Sequence, residues 1–212
     1  MRQTRFPIAG LLTAVLLAAV LLLPACSTIQ TTGSGDPARL EQYESRVRAV
    51  SKLDAWALRG RLAVNDENDG GSGTLHWQEG PGGTRMDFHG AMGRGAWRLV
   101  AGGGEAELEL ADGSRYSAET VGELVRGQLG WTIPVENLSW WVRGVQAPGQ
   151  TDRRTLGEDG SLDFLSQNGW DIEFGRYRDV QGLSLPLKLT ARQGGKLVKL
   201  AIRDWETDGV DN

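Results

Sequence analysis

The sequence predicts a mainly β protein with some α-helix, in which a strongly curved antiparallel sheet forms an incomplete β-barrel. Short segments of alternating apolar and polar residues follow one another, and 30 glycines, about twice the usual frequency, supply turns between them. Two stretches of helical period interrupt the series. Their apolar faces must be buried, and a helical lid or plug over the open side of the half-barrel would bury them and enclose a hydrophobic cavity.

The chain begins with two arginines, an apolar run and a single cysteine. Arg2 and Arg5 precede an apolar run over residues 8–23, which is short for a membrane-spanning helix and fits a signal peptide. Cys26 is the only cysteine and follows Leu-Pro-Ala, which resembles a lipobox. A lone cysteine forms no intrachain disulfide, so lipidation is its best use in an oxidising compartment. The alternative is a small apolar residue that ends a hydrophobic helix.

These features predict three segments. Residues 1–25 are a lipoprotein signal peptide, residues 26–36 are the lipidated cysteine and a flexible tether, and residues 37–212 are the folded domain. In bacterial lipoproteins an aspartate after the cysteine commonly retains the protein in the inner membrane. Ser27 stands there and favours the outer membrane, with the domain facing the periplasm.

The charge of the mature chain argues against one class of partner. Residues 1–25 contain two arginines and no acidic residue, so their removal leaves 21 basic and 27 acidic residues, a net charge of −6. Binding to phosphates needs clustered Lys and Arg. We therefore expect no nucleic-acid partner, and we expect a monomer with a single core.

The folded domain starts with an amphipathic helix and an antiparallel meander. Asp36 is a plausible N-cap before Pro37, and apolar residues follow at helical spacing: Leu40, Tyr43, Val47 and Val50. Strand-like segments then cover 56–64, 72–79, 84–90, 96–102 and 105–112. In the last, Ala106, Leu108 and Leu110 alternate with Glu105, Glu107 and Glu109, which predicts one buried and one solvated face.

The helical stretches lie in the middle of the chain, and strands follow them. The first starts from Ser117 and stops at Gly130, with an apolar face that includes Val121, Leu124, Val125 and Leu129. The second carries Leu138, Trp141, Val142 and Val145. Strands resume at 161–167, 170–177, 185–192 and 196–205, and in the second of these Trp170, Ile172 and Phe174 alternate with acids.

Residues suited to catalysis are scarce. His76 and His89 have no second histidine or cysteine at metal-ligand spacing, and no serine lies in a G-x-S-x-G elbow. The "GAMGRG" segment lacks the strand-to-helix transition of a dinucleotide loop. We expect no enzyme activity, no metal and no cofactor.

The chain is rich in tryptophan, with eight residues of this type. They are either ordinary core and rim residues or, on the concave face, the lining of a pocket for an apolar ligand. Strand parity favours four inward-facing residues as the hydrophobic cavity: Trp97, Leu99, Leu108 and Trp170.

A series of short motifs runs in order along the mature chain. After the lipobox come "LRGRLAV", "GSGTLHW", "GAMG", "NLSWWVRG", "NGWDIEFGRY", "LPLKL" and "VKLAIRDW". Their succession resembles the LolB family of outer-membrane lipoprotein receptors. The resemblance implies an incomplete β-barrel with a helical lid, shared with the periplasmic carrier LolA. It also implies that the protein accepts the acyl chains of lipoproteins from a LolA-like carrier and releases them into the outer-membrane phospholipid, without cofactor or nucleotide.

The resemblance also assigns the glycine-rich turn a role. LolB-like proteins have a protruding loop with an exposed apolar residue, usually leucine, that is needed for membrane insertion. The matching position is Met92, between Ala91 and Gly93, and methionine keeps the volume and apolarity of leucine. Two other functions stay open at this point: an outer-membrane lipoprotein acting as a protein-binding assembly scaffold without lipid transfer, and a hydrolase facing the periplasm.

Overall fold

The computed structural model describes residues 36–66, 70–91 and 95–207. These ranges contain three helices and eleven strands, and none of these helices is long and apolar enough to cross a membrane. The helices are α1 (Pro37–Val50), α2 (Val121–Leu129) and α3 (Val135–Trp141). The strands are β1 (Trp56–Asn65), β2 (Gly70–Gly80), β3 (Gly83–Gly90), β4 (Trp97–Gly102), β5 (Glu105–Leu110), β6 (Arg115–Ala118), β7 (Thr151–Leu156), β8 (Leu162–Gln167), β9 (Trp170–Val180), β10 (Leu183–Gln193) and β11 (Lys196–Glu206).

The strands form one antiparallel sheet in the order β6-β5-β4-β3-β2-β1-β11-β10-β9-β8-β7. The first and last strands pair in the middle, whereas the two edges, β6 and β7, come from the middle of the chain. In the described part of the chain no pairing joins these edges, so the sheet is not closed. The predicted mainly β fold with an incomplete antiparallel sheet is confirmed.

The helices pack against different parts of the sheet. The chain between the two edges contains α2 and α3, and α2 contacts β5, β6 and α3. Helix α1 contacts β7 and β10 instead. The inner face of the sheet, meaning the face that carries the buried residues, is therefore covered by different helices at its two ends.

The predicted alternation determines which residues face inward. In β5, Ala106 and Leu108 are buried while Glu105 and Glu107 are exposed. In β9, Trp170 and Ile172 are buried between exposed acidic residues. For both strands the prediction of one buried and one solvent-exposed face is confirmed.

The helix ends follow the capping rules. Asp36 accepts a hydrogen bond from the Ala38 amide, with Pro37 in the first turn, as predicted. Helix α2 begins at Val121, and the prediction of a start at Ser117 is wrong because Thr120 forms a capping box with Glu123 and so fixes the first turn.

The sequence patterns missed both edge strands. β6 has the sequence RYSA and β7 has TDRRTL, and most of their residues are exposed. An edge strand at the margin of the core buries little apolar surface, so its residues need not alternate. Hydrophobic periodicity therefore gives no signal for either edge.

Candidate functional site

An apolar cavity lies between the inner face of the sheet and the segment containing α2 and α3. The sheet contributes residues of β1, β2, β3, β4 and β11, and the helical segment covers them. Every side chain that lines the cavity is hydrophobic. The lining consists of Leu62, Leu75, Trp77, Met86, Trp97, Val125, Trp131, Ile133, Val135, Leu138, Val142, Val198 and Leu200.

The cavity is small in this structure. Its volume is about 30 Å³, which is room for roughly two water-sized spheres. An acyl chain fits only if the lining separates.

The cavity adjoins an open cleft at the end of the sheet where β3 stops and β4 starts. This loop cleft has a volume of about 550 Å³ and shares Trp97 and Trp131 with the cavity. Gly90 and Gly95, on either side of residues 92–94, also line it. The loop cleft thus connects the interior to the neighbourhood of the glycine-rich turn.

A second cleft adjoins the cavity on another side and is more acidic. It shares Trp77, Met86 and Val135 with the cavity. Its rim carries four glutamates: Glu79, Glu105, Glu119 and Glu136. The two clefts therefore differ in charge, since the residues that line the loop cleft include one acid, Asp112.

Three aromatic rings stand between the cavity and the loop cleft. Phe88 and Trp97 pair across β3 and β4 and stack with their ring centroids 5.2 Å apart. Trp131 meets both rings edge-on, at 6.0 and 6.2 Å. A Cβ at Gly71 would lie 3.0 Å from the Trp131 ring, so the glycine gives this ring its room. Trp131 follows Gly130, whose φ of 71° ends α2.

The indole N–H groups of Trp77 and Trp97 differ in their hydrogen bonding. Trp77 Nε1 donates to Glu79 Oε1 at 3.0 Å and to Thr84 Oγ1 at 2.9 Å. Trp97 is 7% exposed, and its buried Nε1 has no hydrogen-bond partner among the described residues. Leaving a buried donor unpaired destabilises a fold by about 1–3 kcal/mol. Trp97 therefore carries an unmet polar group at the edge of an apolar cavity.

Arg143 fixes the end of α3. Its guanidinium lies 4.8 Å from the Trp140 ring centroid and 5.6 Å from that of Trp56, and its Nε donates to the Ser139 carbonyl at 2.9 Å. Burial lowers the pKa of this guanidinium, and the charge of Glu79 partly opposes the effect. The arrangement holds α3 against β1, next to the cavity.

Titratable groups cluster on the outer face of the sheet, opposite the cavity. Asp87 Oδ1 lies 2.6 Å from Arg98 Nε, and its Oδ2 lies 2.8 Å from Arg85 Nε. Burial and the charge of Arg59 lower the pKa of His76. In the described ranges, no group of three or more His, Cys, Asp or Glu residues is placed to hold a metal ion.

Comparison with known proteins identifies the family. The family model described as "Outer membrane lipoprotein LolB" matches residues 54–205. The chain is 38% identical over 192 residues to the outer-membrane lipoprotein LolB of Pseudomonas aeruginosa, covering 89% of this chain and 92% of that protein. The chain belongs to the LolB family. The LolB protein of Pseudomonas putida is 36% identical over 179 residues, covering 82% of this chain and 83% of that protein.

Membership of the LolB family confirms the predicted resemblance and the predicted place in the outer membrane as a lipid-anchored protein. It does not favour the scaffold alternative. Among solved structures, a putative outer membrane lipoprotein-sorting protein domain from Vibrio parahaemolyticus superposes with a TM-score of 0.52 at 10% identity, covering 82% of this chain and 93% of that chain. At this identity the likeness shows the fold alone.

Three of the site residues predicted from the LolB resemblance and the lipobox lie outside the described residues: Cys26, Met92 and Gly93. Ala91 is described and is exposed directly after β3. The lipidation site and the membrane-insertion residue stay predictions.

The four predicted cavity residues separate into two groups. Trp97 lines the cavity. Leu99 and Leu108 pair across β4 and β5 and are fully buried, and Trp170 packs 6.5 Å from Trp141 in another part of the core. These three face inward as expected but are absent from the lining of this cavity.

The sequence patterns missed most of the helical side of the lining. Leu138 and Val142 were recognised as one apolar helix face but not as cavity residues. Trp131 and Ile133 lie in the short connection between α2 and α3, where no periodicity exists. The available signal was the presence of two large apolar residues in a linker, where polar residues are usual.

Proposed function

We propose that this LolB-family protein receives lipoproteins from a LolA-like periplasmic carrier, binds their acyl chains in the apolar cavity and inserts them into the outer membrane. The observation that carries the proposal is a cavity lined only by hydrophobic side chains under a helical cover. Each buried CH₂ gains about 0.8 kcal/mol. Transfer therefore needs only increasing apolar burial from carrier to receptor to bilayer, and the protein is not an enzyme.

The proposal requires the cavity to open. A volume of about 30 Å³ does not hold an acyl chain. The Gly122 amide donates to Glu136 Oε1 at 3.0 Å, which ties α2 to α3. Gly144, which has a positive φ, follows α3. We propose that α2 and α3 move together as a lid.

The anchor and the glycine-rich turn complete the proposed path. Acylation of Cys26 would hold the domain, acting as a monomer, at the periplasmic face of the outer membrane, because several acyl chains together anchor a protein stably. Met92 would contact the outer-membrane phospholipid, and the loop cleft beside it would be the exit. The exposure of Ala91 at the base of this turn supports that arrangement.

The test uses the lipidated mature protein in liposomes and a LolA-like carrier loaded with labelled lipoprotein. We expect Met92→Glu to take cargo from the carrier normally but to insert it at least about tenfold more slowly, because a carboxylate does not enter the hydrocarbon region. Label that sediments with the liposomes and cannot be cross-linked to the receptor measures insertion, and label lost from the carrier measures acceptance.

Two matched variants control this experiment. Met92→Leu keeps an apolar tip, and Val100→Glu places the same charge on a residue that is 43% exposed on the outer face of β4. Both should insert cargo like the unchanged protein. Normal insertion by Met92→Glu would rule out the role of the turn, and failure of the unchanged protein to accept cargo would rule out the receptor function.

A further inference from the structure

Trp97 occupies a particular place on the path into the cavity. It is the first residue of β4 and pairs with Phe88 on one side and Leu110 on the other. Its side chain lines both the cavity and the loop cleft. Trp97 therefore stands at the mouth of the cavity, five residues along the chain from Met92.

The indole N–H of Trp97 has no hydrogen-bond acceptor among the described residues. Buried indole N–H groups usually find an acceptor. The cavity lining has no polar side chain that could accept from Trp97, and Trp77, the tryptophan across the sheet, already donates to Glu79 and Thr84. A phenylalanine at position 97 would stack on Phe88 without an unpaired donor. The nitrogen is thus the part of this side chain that packing does not require.

We propose that Trp97 Nε1–H is the hydrogen-bond donor for the carbonyl oxygen of a bound acyl group, an ester or an amide. This inference rests on the proposed function, because it assumes that acyl chains enter the cavity. It adds a polar subsite to a cavity whose lining is otherwise hydrophobic.

The position of the donor matches the shape of the ligand. An acyl chain carries its carbonyl at the head end, so a chain whose tail lies in the cavity presents this oxygen at the mouth. Hydrophobic burial is non-directional and lets a chain slide along an apolar cavity. A single donor at the mouth fixes how deep the chain enters and leaves the head group in the loop cleft, which Gly90 and Gly95 also line.

The test compares ligands of similar length that differ in the carbonyl. The mature chain with Cys26→Ala is used so that no acyl anchor of its own competes. Methyl laurate, N-methyllauramide and tetradecane each displace a fluorescent apolar dye, and the ratio of the carbonyl ligand's affinity to that of tetradecane is measured. We expect Trp97→Phe to lower this ratio about tenfold without weakening tetradecane binding.

The matched control is Trp170→Phe, which makes the same change at a buried tryptophan that does not line the cavity. We expect the affinity ratio to stay unchanged in this variant. A loss confined to the amide would assign the donor to the N-acyl chain of the cargo, and a loss confined to the ester would assign it to the glyceryl chains. Either result supports the proposal, whereas an unchanged ratio in Trp97→Phe overturns it.

A second measurement needs no substitution in the protein under test. The indole N–H signal of Trp97, assigned by its absence from the Trp97→Phe spectrum, should shift in NMR when methyl laurate binds and should shift less with tetradecane. Equal shifts would overturn the inference while leaving acyl binding intact. Failure of all three ligands to bind would overturn the proposed function, and this inference with it.

Discussion

The part of the sheet formed by β1 to β4 borders a cavity, whereas no residue of β7 to β10 lines it, although both parts follow the same antiparallel pattern. We call the second part filled because it carries side chains with no exposed surface, among them Leu165 and Ile172. In the filled part, Trp141 is fully buried and packs near Trp170. In the cavity part, Trp97 and Trp131 meet edge-on beside empty space. Tryptophan side chains therefore pack the core in one region and line the cavity in the other.

The buried polar groups show the same contrast. Gln167 Oε1 accepts from Trp141 Nε1 at 2.9 Å and from the Ala147 amide at 3.0 Å, and its Nε2 donates to the Ala147 carbonyl at 2.7 Å. Trp97 Nε1 has no such partner among the described residues. The filled region satisfies these groups internally, and the cavity region leaves a donor for a ligand. One part of the sheet therefore provides a closely packed core, and the other part provides the surface for a ligand.

The largest effect is expected when a leucine is replaced by alanine, and its size should differ between the filled part and the cavity part of the sheet. Leu165→Ala, at a fully buried position of β8, should lower the free energy of unfolding by about 4 kcal/mol. Leu75→Ala, at the edge of the existing cavity, should lower it by about 2 kcal/mol, because this side chain already lacks neighbours on one side. Urea unfolding measures both values, and equal losses would contradict the division into filled and cavity regions.

A somewhat smaller effect is expected from Gln167→Met. The change leaves the Trp141 N–H and both Ala147 backbone groups unpaired and should lower the free energy of unfolding by about 3 kcal/mol. Gln42→Met, at an exposed position of α1, should change it by less than about 0.5 kcal/mol. Affinity for an acyl ligand should stay the same in both folded variants. A parallel fall in ligand affinity for Gln167→Met would show that the two regions are coupled.

The smallest effect concerns the outer face behind the cavity. Burial raises the pKa of Asp87, but hydrogen bonds from Arg98 and Arg85 outweigh this and leave the pKa below the ordinary value of 3.8. A carboxyl with a lowered pKa in the folded protein stabilises it above pH 3.8, and this stabilisation is lost as the pH falls through the folded-state pKa.

Asp87→Asn should therefore lower the free energy of unfolding by less than about 1 kcal/mol at neutral pH, since the ion pairs are partly exposed. The difference from the unchanged protein should vanish in acid. Unfolding experiments across this pH range measure it, with Arg98→Gln as the background in which the effect should shrink. A difference that grows in acid would refute the assignment.

The sequence predicted which residues of each strand face inward, because alternation depends only on the strand itself. Leu99 and Leu108 are buried as their parity requires. The alternation does not reveal which helix covers a given inward-facing residue. Met86 of β3 lines the cavity, whereas Leu99, its partner on β4, does not. The position of the cavity depends on the connection containing Trp131, which has no periodic pattern. For the same reason both polar edge strands were missed.

The pairing of β1 with β11 places the seam of the sheet between residues from opposite ends of the domain. Strands β1 to β6, and likewise β7 to β11, join only neighbours along the chain and can form locally, whereas the seam closes the longest loop and is entropically the slowest contact to form. Because β11 is the last strand along the chain, the two parts of the sheet can join only once β11 is available. A chain cut short before Lys196 would keep β1 and β10 as open edges, which are the kind of surface that leads to aggregation.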